Sequence, residues 1–231
     1  MIHRRLYLIN QEDSKYKPEE KEFFYNLRQD YQLTSFDQEV REVFDSPTTK
    51  VGQTVILTGA IARVGTLWIA KNYREELAKL FSNEFIDKVY KFDLQKVPSP
   101  NRMKELGVTA MVPVSEGGIF TGLWEISAPF RLGMEIDWSK TLINQVTIEF
   151  CEALEVNPYQ LYAGGCSLMV TDNSYEVICE LEALGIPCQI IGRVTKEPKK
   201  VIHHGEICRA IMRPEPDELL RLRELKEVDN R

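Results

Sequence analysis

The sequence lacks the features that mark several large classes of protein. No apolar run approaches the ~20 residues of a membrane-spanning helix, and the short apolar stretch Leu6 to Ile9 is too brief for a signal peptide. Lysine and arginine form no stripe, and the net charge is −6, which argues against a nucleic-acid partner. These absences lead us to expect a cytoplasmic protein that contacts neither membrane nor nucleic acid.

Paired cysteines are missing as well. The cysteines show no Cys-x-x-Cys or Cys/His spacing of the kind that binds zinc. They are Cys151, Cys166, Cys179, Cys188 and Cys208. We expect reduced side chains, with Cys151 and Cys179 acting as small apolar packers. Cys166 follows Gly164 and Gly165 and could pack or act as a nucleophile, although the sequence places no histidine to serve as its base.

What is present is the composition of an ordinary folded protein. The 231 residues are 43% hydrophobic and 28% charged, which allows a substantial core. Residues 1–50 contain no glycine, since the first is Gly52. We predict an N-terminal arm or small subdomain over residues 1–50 and an α/β domain over residues 51–231, with Asp45 to Thr49 as the linker.

The N-terminal part contains one predicted strand and two predicted helices. Arg5 to Ile9 could be a strand, and Pro18 to Gln32 has a proline near its first turn and aromatic side chains on one face. Phe36 to Phe44 favours a second, shorter helix.

From residue 51 onward, strands and helices alternate until three strands close the pattern. The predicted strands are Thr54 to Leu57, Val108 to Met111, Leu132 to Asp137, Leu168 to Val170, Gln189 to Val194, Val201 to His203 and Ile207 to Met212. The predicted helices include Val64 to Phe81, Asn83 to Phe92, Asn144 to Leu154, Tyr175 to Leu184 and Pro216 to Lys226. We therefore predict an α+β fold, a layered mixed β-sheet with helices, plus a small N-terminal helical arm.

The stretch from Leu106 to Ile126 combines a strand, a glycine turn and a helix. Pro113 is expected to end the strand pairing, and Ser115 is expected to cap the helix. Gly117 and Gly118 would let backbone N–H groups approach an anion at the helix N-terminus. The neighbouring carboxylate, Glu116, would repel a phosphate unless a metal bridged the two, so a capped helix packed on a strand is the other interpretation.

Further motifs allow more than one interpretation. His203-His204-Gly205 reads as a polar hairpin turn or, failing that, as part of a metal site. Arg193 lies on a predicted strand, where it could reach a phosphate or form a salt bridge. Asp172-Asn173-Ser174 reads as a turn that leads into a helix capped by Ser174.

A series of short motifs follows one another in a recognisable order. These are Ser115-Glu116-Gly117-Gly118, Leu123-Trp124-Glu125, Leu132-Gly133-Met134-Glu135-Ile136-Asp137, Asn157-Pro158-Tyr159-Gln160-Leu161, Gly164-Gly165, Leu184-Gly185-Ile186-Pro187 and Ile191-Gly192-Arg193-Val194-Thr195. Together they resemble the C-terminal domain of the aminoimidazole ribonucleotide (AIR) synthetase superfamily, in particular its AIR synthase-related and hydrogenase-maturation branch. The resemblance covers roughly Val55 to Leu220 and agrees with the fold expected from the ordered elements.

The resemblance also shows departures. Relatives that hydrolyse ATP resemble one another in an N-terminal domain with a Gly-Asp-Asp-type segment for magnesium and nucleotide, and this sequence has no such segment. Relatives tend to carry a polar pair where Val112 and Pro113 stand here. The hydrogenase-maturation factor ends in a reactive cysteine, whereas this chain ends with Val228 to Arg231.

Three functions are compatible with this pattern. The first is a non-catalytic or regulatory binding or assembly module with residual nucleotide or phosphate binding. The second is an ATP-dependent enzyme of the purine-synthesis or hydrogenase-maturation type, which a separate N-terminal-domain-like subunit would complete, with ATP or phosphate and magnesium as its ligands. The third is a self-sufficient enzyme with a site at Cys166 or Glu116. We prefer the first, and the resemblance also implies a homodimer.

The anion or nucleotide site has six candidate residues, and we assign no catalytic or metal-binding residue. The candidates are Ser115, Glu116, Gly117, Gly118, Gly164 and Gly165.

Overall fold

The computed structural model describes residues 16–211 and 213–229, so the predicted strand Arg5 to Ile9 lies outside the described residues. The helices are α1 Pro18–Asp30, α2 Thr34–Val43, α3 Arg63–Asn72, α4 Arg74–Leu77, α5 Asn83–Ile86, α6 Pro100–Glu105, α7 Gly118–Ser127, α8 Gln145–Ala153, α9 Ser174–Ala183 and α10 Glu218–Asp229. Short 3₁₀ turns cover Asp87–Lys91, Ala128–Phe130 and Trp138–Lys140. The strands are β1 Thr54–Thr58, β2 Val108–Val114, β3 Gly133–Asp137, β4 Cys166–Thr171, β5 Cys188–Thr195, β6 Lys200–His204 and β7 Ile207–Ala210.

The strands form a single mixed sheet. Within the described residues the sheet has seven strands in the order β2-β4-β1-β5-β3-β6-β7. Every neighbouring pair is antiparallel except β3 and β6, which run parallel. Helices pack on this sheet, so the predicted α+β fold with a layered mixed sheet is confirmed.

The sheet separates two hydrophobic cores, because successive side chains of a strand point to opposite faces. In β1, Val55 and Leu57 join one core and Ile56 joins the other, and all three are fully buried. Residues of α1, α3, α7, α8 and α10 belong to the first core. Residues of α2, α6 and α9 belong to the second.

The predicted N-terminal helical arm is present and packs into both cores. Phe24 of α1 is 1% exposed and belongs to the first core, and Val40 of α2 is fully buried in the second. The helices before residue 50 therefore share the cores of the sheet. A boundary between two parts at residue 50 stays a prediction.

Two local predictions were wrong. Pro113 does not end the strand pairing, because β2 continues to Val114 and Pro113 lies opposite Ser167. Since β2 is the first strand of the sheet order, its outward side can carry a residue without an N–H group. The predicted helix Val64 to Phe81 is interrupted after α3 at Tyr73, whose hydroxyl group donates a hydrogen bond to the carbonyl oxygen of Leu222 in α10.

None of the helices that the structure describes is long and apolar enough to cross a membrane.

Candidate functional site

The glycine turn joins β2 to α7. Gly117 is the N-cap residue of α7, and both Gly117 and Gly118 have positive φ angles, 72° and 63°. Glycine adopts this left-handed conformation at low cost, which explains the pair. The prediction that Ser115 caps the helix was wrong, because the helix begins later and Ser115 instead accepts the N–H of Gly118 through its carbonyl oxygen at 3.2 Å.

A second loop lies directly against this turn. The N–H of Gly164 donates to the carbonyl oxygen of Val114 at 2.9 Å, and the N–H of Ala163 donates to that of Ser115 at 3.3 Å. The structure thus brings the two predicted glycine pairs together, although they are far apart in the sequence.

The carboxylate of Asp217 lies between the glycine turn and the second loop, and the sequence did not indicate this position. Asp217 is 1% exposed, and its Oδ2 accepts the N–H of Gly117 at 2.7 Å. Its Oδ1 accepts the N–H groups of Leu219 at 2.9 Å and of Tyr162 at 3.3 Å. Because Gly117 precedes α7 and Leu219 lies in the first turn of α10, one carboxylate caps the N-termini of two helices.

The glycines of both loops are packed against their neighbours. A Cβ atom on Gly118 would lie 2.4 Å from the carbonyl oxygen of Tyr159, and one on Gly164 would lie 2.5 Å from Cγ2 of Val64. One on Gly165 would lie 2.8 Å from the carbonyl oxygen of Leu94. Close packing therefore accounts for these glycines, and Asp217 accepts the N–H of Gly117 that would otherwise be available to an anion.

Glu116 also has a partner within the chain. One of its carboxylate oxygens forms an ion pair with Nη2 of Arg28 at 2.7 Å, and the two side chains are 14% and 24% exposed. This pair connects α1 to the glycine turn. Glu116 and Asp217 are thus both engaged, and within the described residues no three His, Cys, Asp or Glu side chains are grouped to hold a metal ion. The turn as built does not fit a magnesium-bound phosphate.

Two carboxyl groups in this region have raised pKa values. Burial raises the pKa of Asp217 to about 7, although the three N–H donors act in the opposite direction and the charge of Glu116 adds to the increase. Burial also raises the pKa of Asp37 in α2 to about 7, with Glu116 raising it further and Arg28 and Arg41 lowering it. Oδ2 of Asp37 is buried and has no hydrogen-bond partner among the described residues.

Cys166 is buried and its thiol is held in the protonated form. The side chain is 1% exposed, and burial raises the pKa of the thiol to about 12 in spite of the nearby Arg63. The guanidinium group of Arg63 donates to the carbonyl oxygens of Asp93 and Gly165. This geometry favours packing for Cys166 over nucleophilic chemistry. The prediction that Cys179 packs in the core was wrong, since that side chain is exposed.

The remaining motifs lie away from the glycine turn. β6 and β7 form a hairpin through Gly205, which confirms the predicted turn after His203 and His204. Arg193 forms a salt bridge with Glu135 on β3 at 2.7 Å. A groove of about 290 Å³ is lined by residues between 32 and 39 and between 94 and 100, and it contains none of the predicted site residues.

Sequence reasoning missed Asp217 and Tyr162. Asp217 stands immediately before α10, so its helix-capping role could be expected from that position. No local pattern indicates that the same carboxylate reaches a turn 100 residues earlier.

Fold and site together define an α+β domain in which a glycine turn closes against a second Gly-Gly loop. The chain belongs to the AIR synthase-related family: the family model for the AIR synthase related protein, C-terminal domain, matches residues 50–205. A comparison with curated proteins gives no match.

Several solved structures share the fold. The hydrogenase maturation protein HypE of E. coli has a TM-score of 0.58 and 18% identity over 76% of this chain and 54% of its own. A chain of a HypE–HypF complex has a TM-score of 0.55 and 23% identity, covering 73% of this chain and 55% of its own. Thiamine-monophosphate kinase from Stenotrophomonas maltophilia has a TM-score of 0.52 and 15% identity, covering 68% of this chain and 51% of its own. This chain thus spans about half the length of each protein, and the likeness is one of fold.

Proposed function

We propose that this chain is a non-catalytic binding or assembly module built on the AIR synthase-related C-terminal domain. The observation that carries the proposal is the hydrogen bond from the N–H of Gly117 to Asp217, which puts a carboxylate of the chain itself where an external anion would bind. The side chain of Asp217 therefore already caps the N-terminus of α7 and offsets its partial positive charge.

The energy that holds Asp217 in place exceeds what an anion could gain. The helix that follows it buries Leu219, Leu220 and Leu222 at 0%, 8% and 1% exposure. Each such side chain contributes about 1.5 to 3 kcal/mol. An anion at a helix N-terminus gains only about 0.3 to 2 kcal/mol. Displacement of α10 by phosphate alone is therefore unfavourable.

Residual anion binding requires that the carboxylate be removed. The residues that would then line the site are Ser115, Glu116, Gly117, Gly118, Gly164 and Gly165. In an Asp217→Ala variant the N–H groups of Gly117 and Tyr162 would lose their acceptor, and phosphate could restore one.

Calorimetric titration with ATP, ADP and phosphate, each with and without magnesium, tests the proposal. The wild type should give no binding heat, whereas Asp217→Ala should be stabilised by phosphate in thermal unfolding. A Glu227→Gln variant, altered on the exposed side of the same helix, is the matched control and should behave as the wild type. Steady magnesium-dependent ATP turnover by the pure wild-type protein would overturn the proposal.

A second candidate is an ATP-dependent enzyme completed by another subunit. Its support is the half-length coverage of the similar structures, together with the kinase and the two-protein HypE–HypF complex among them. In this case a native-extract pull-down should recover a subunit that confers ATP turnover on the mixture. We also propose a homodimer, which light scattering would test; a monomeric mass at high concentration would contradict it.

A further inference from the structure

The β6–β7 hairpin forms one end of the sheet and lies largely outside the cores. β7 is the last strand in the sheet order, and all four of its residues are exposed. Ile207 is 51% exposed. Among the described residues, no segment pairs with the outer edge of β7.

The hairpin geometry determines which backbone groups of β7 point outward. The loop has two residues, and Gly205, the first, has a φ angle of 59°, as a type II′ turn requires. In such a hairpin the flanking residues His204 and Ile207 form a hydrogen-bonded pair, and hydrogen-bonded and open pairs then alternate. The N–H and C=O groups of Cys208 and Ala210 therefore face away from β6.

The edge is basic in an otherwise acidic chain. Between Thr195 and Arg213 there are five basic side chains and two acidic ones, which leaves a charge of +3, while the whole chain carries −6. The basic residues are Lys196, Lys199, Lys200, Arg209 and Arg213, and the acidic ones are Glu197 and Glu206. Lys196, Arg209 and Arg213 are exposed, and of these Arg209 lies on β7 and Arg213 follows shortly after it. Lys199 forms an ion pair with Glu197, and Lys200 lies over the ring of Trp124.

One face of β7 carries a basic and an apolar side chain in succession, so an added strand could present complementary side chains to both. Arg209 lies opposite Ile202, and Ile207 lies two residues before Arg209 on the same face. A strand added to this edge would place one side chain beside Arg209 and another beside Ile207. An acidic side chain suits the first position and an apolar one suits the second.

We propose that the outer edge of β7 binds an extended acidic segment of another polypeptide, which adds as an eighth strand to the sheet. Backbone groups of Cys208 and Ala210 supply the hydrogen bonds, and Arg209 with the basic residues around it selects a negatively charged segment. A second copy of this chain is a poor occupant, because pairing β7 with itself brings two basic edges together. The inference rests on the proposed role as a binding module and names its partner class.

The test uses the full chain and a dye-labelled probe peptide that repeats Glu-Thr-Val-Thr, which places glutamate and valine at successive positions on one face of the strand. Binding is followed by fluorescence anisotropy. The control peptide has proline in place of each valine, which keeps the charge and removes the strand hydrogen bonds. Cys208→Pro removes an outward N–H group and leaves the hairpin bonds in place, and Cys208→Ala is its matched control. Arg209→Glu reverses the charge beside the edge and leaves every backbone N–H and C=O group of β7 in place.

We expect binding of the probe, with a ~10-fold loss in Cys208→Pro and in Arg209→Glu and a change within about 2-fold in Cys208→Ala. The proline peptide should bind at least ~10-fold more weakly than the probe. Equal binding of both peptides, tighter binding of a single-stranded oligonucleotide, or no probe binding to the wild type would each overturn the inference. These outcomes are independent of ATP turnover, so they distinguish a failure here from a failure of the proposed function.

Discussion

The backbone N–H of Gly117 donates a 2.7 Å hydrogen bond to Oδ2 of Asp217, a residue 100 positions further along the chain. The bond connects the start of α7 to the start of α10, and the same carboxylate accepts the N–H of Tyr162. The glycine turn is therefore closed by a contact between the ends of two helices.

Asp217→Asn should destabilise the fold by about 1 to 3 kcal/mol at neutral pH, measured by urea unfolding. The amide has one acceptor oxygen where the carboxylate has two, so its NH₂ group must face either the N–H of Gly117 or the N–H groups of Leu219 and Tyr162. Glu227→Gln on the exposed side of α10 should change the free energy of unfolding by less than about 0.5 kcal/mol. Equal effects of the two substitutions would contradict the role given to Asp217.

Asp37 predicts a dependence of stability on pH. Its pKa is raised from an ordinary value of 3.8 to about 7 by burial, with Glu116 adding to the rise and Arg28 and Arg41 opposing it. The folded state therefore holds the proton more tightly, and this contribution is complete below about pH 4 and is lost as the pH rises to about 7. The rise in the pKa of Asp37 corresponds to a loss of at most about 4 kcal/mol in the free energy of unfolding.

The Asp37→Asn variant isolates that contribution. It should match the wild type near pH 4 and exceed it in free energy of unfolding at pH 8, because an amide has no charge to bury. Urea unfolding across this pH range measures the difference. A gap between the two proteins that does not grow with pH would show that Asp37 is not the titrating group.

Gly118 should tolerate no side chain. In Gly118→Ala the new Cβ would lie 2.4 Å from the carbonyl oxygen of Tyr159, and the φ angle of 63° adds backbone strain. We expect a loss of about 3 kcal/mol or more in the free energy of unfolding. Gly205 has a similar φ angle, 59°, with nothing within 4 Å of the added atom, so Gly205→Ala should cost only about 1 kcal/mol. A similar loss of stability in both variants would show that backbone strain, and not the contact with Tyr159, is the cause.

The ion pair between Arg28 and Glu116 should couple α1 to the glycine turn. A double-mutant cycle with Arg28→Met and Glu116→Gln should give a coupling energy of about 1 kcal/mol, because both side chains are mostly buried. The pair Arg223 and Glu227 within α10, whose side chains are 36% and 57% exposed, is the control, with an expected coupling of about 0.3 to 0.5 kcal/mol. Additive effects at Arg28 and Glu116 would refute the coupling.

Thiol labelling should separate the cysteines by exposure. Cys179 and Cys208 are exposed and should react first, with Cys188 slower because it is partly buried. Cys151 and Cys166 should react only after unfolding, since burial raises the pKa of each thiol to about 12. Mass spectrometry of the labelled native protein identifies the sites. Rapid labelling of Cys166 would reopen the nucleophilic interpretation.

Much of the fold could be predicted from local patterns. The β-branched run at Thr54 predicted β1, and the motif from Leu132 to Asp137 predicted β3, because apolar alternation reflects the side-chain period of a strand. The candidate glycines at 117–118 and 164–165 were also placed correctly in two loops, and the structure brings these loops together. That they line an anion site stays a prediction, which the calorimetric titration tests.

What the sequence by itself determined is the succession of strands and helices, the hairpin at Gly205 and the family to which the motifs point. Each depends on residues close together in the chain, through side-chain periodicity or the φ preference of glycine. Only the tertiary structure decided that Pro113 lies within an edge strand and that Asp217 fills the glycine turn. Those outcomes depend on which strand lies at the end of the sheet and on a contact across 100 residues, and chain folding in space sets both.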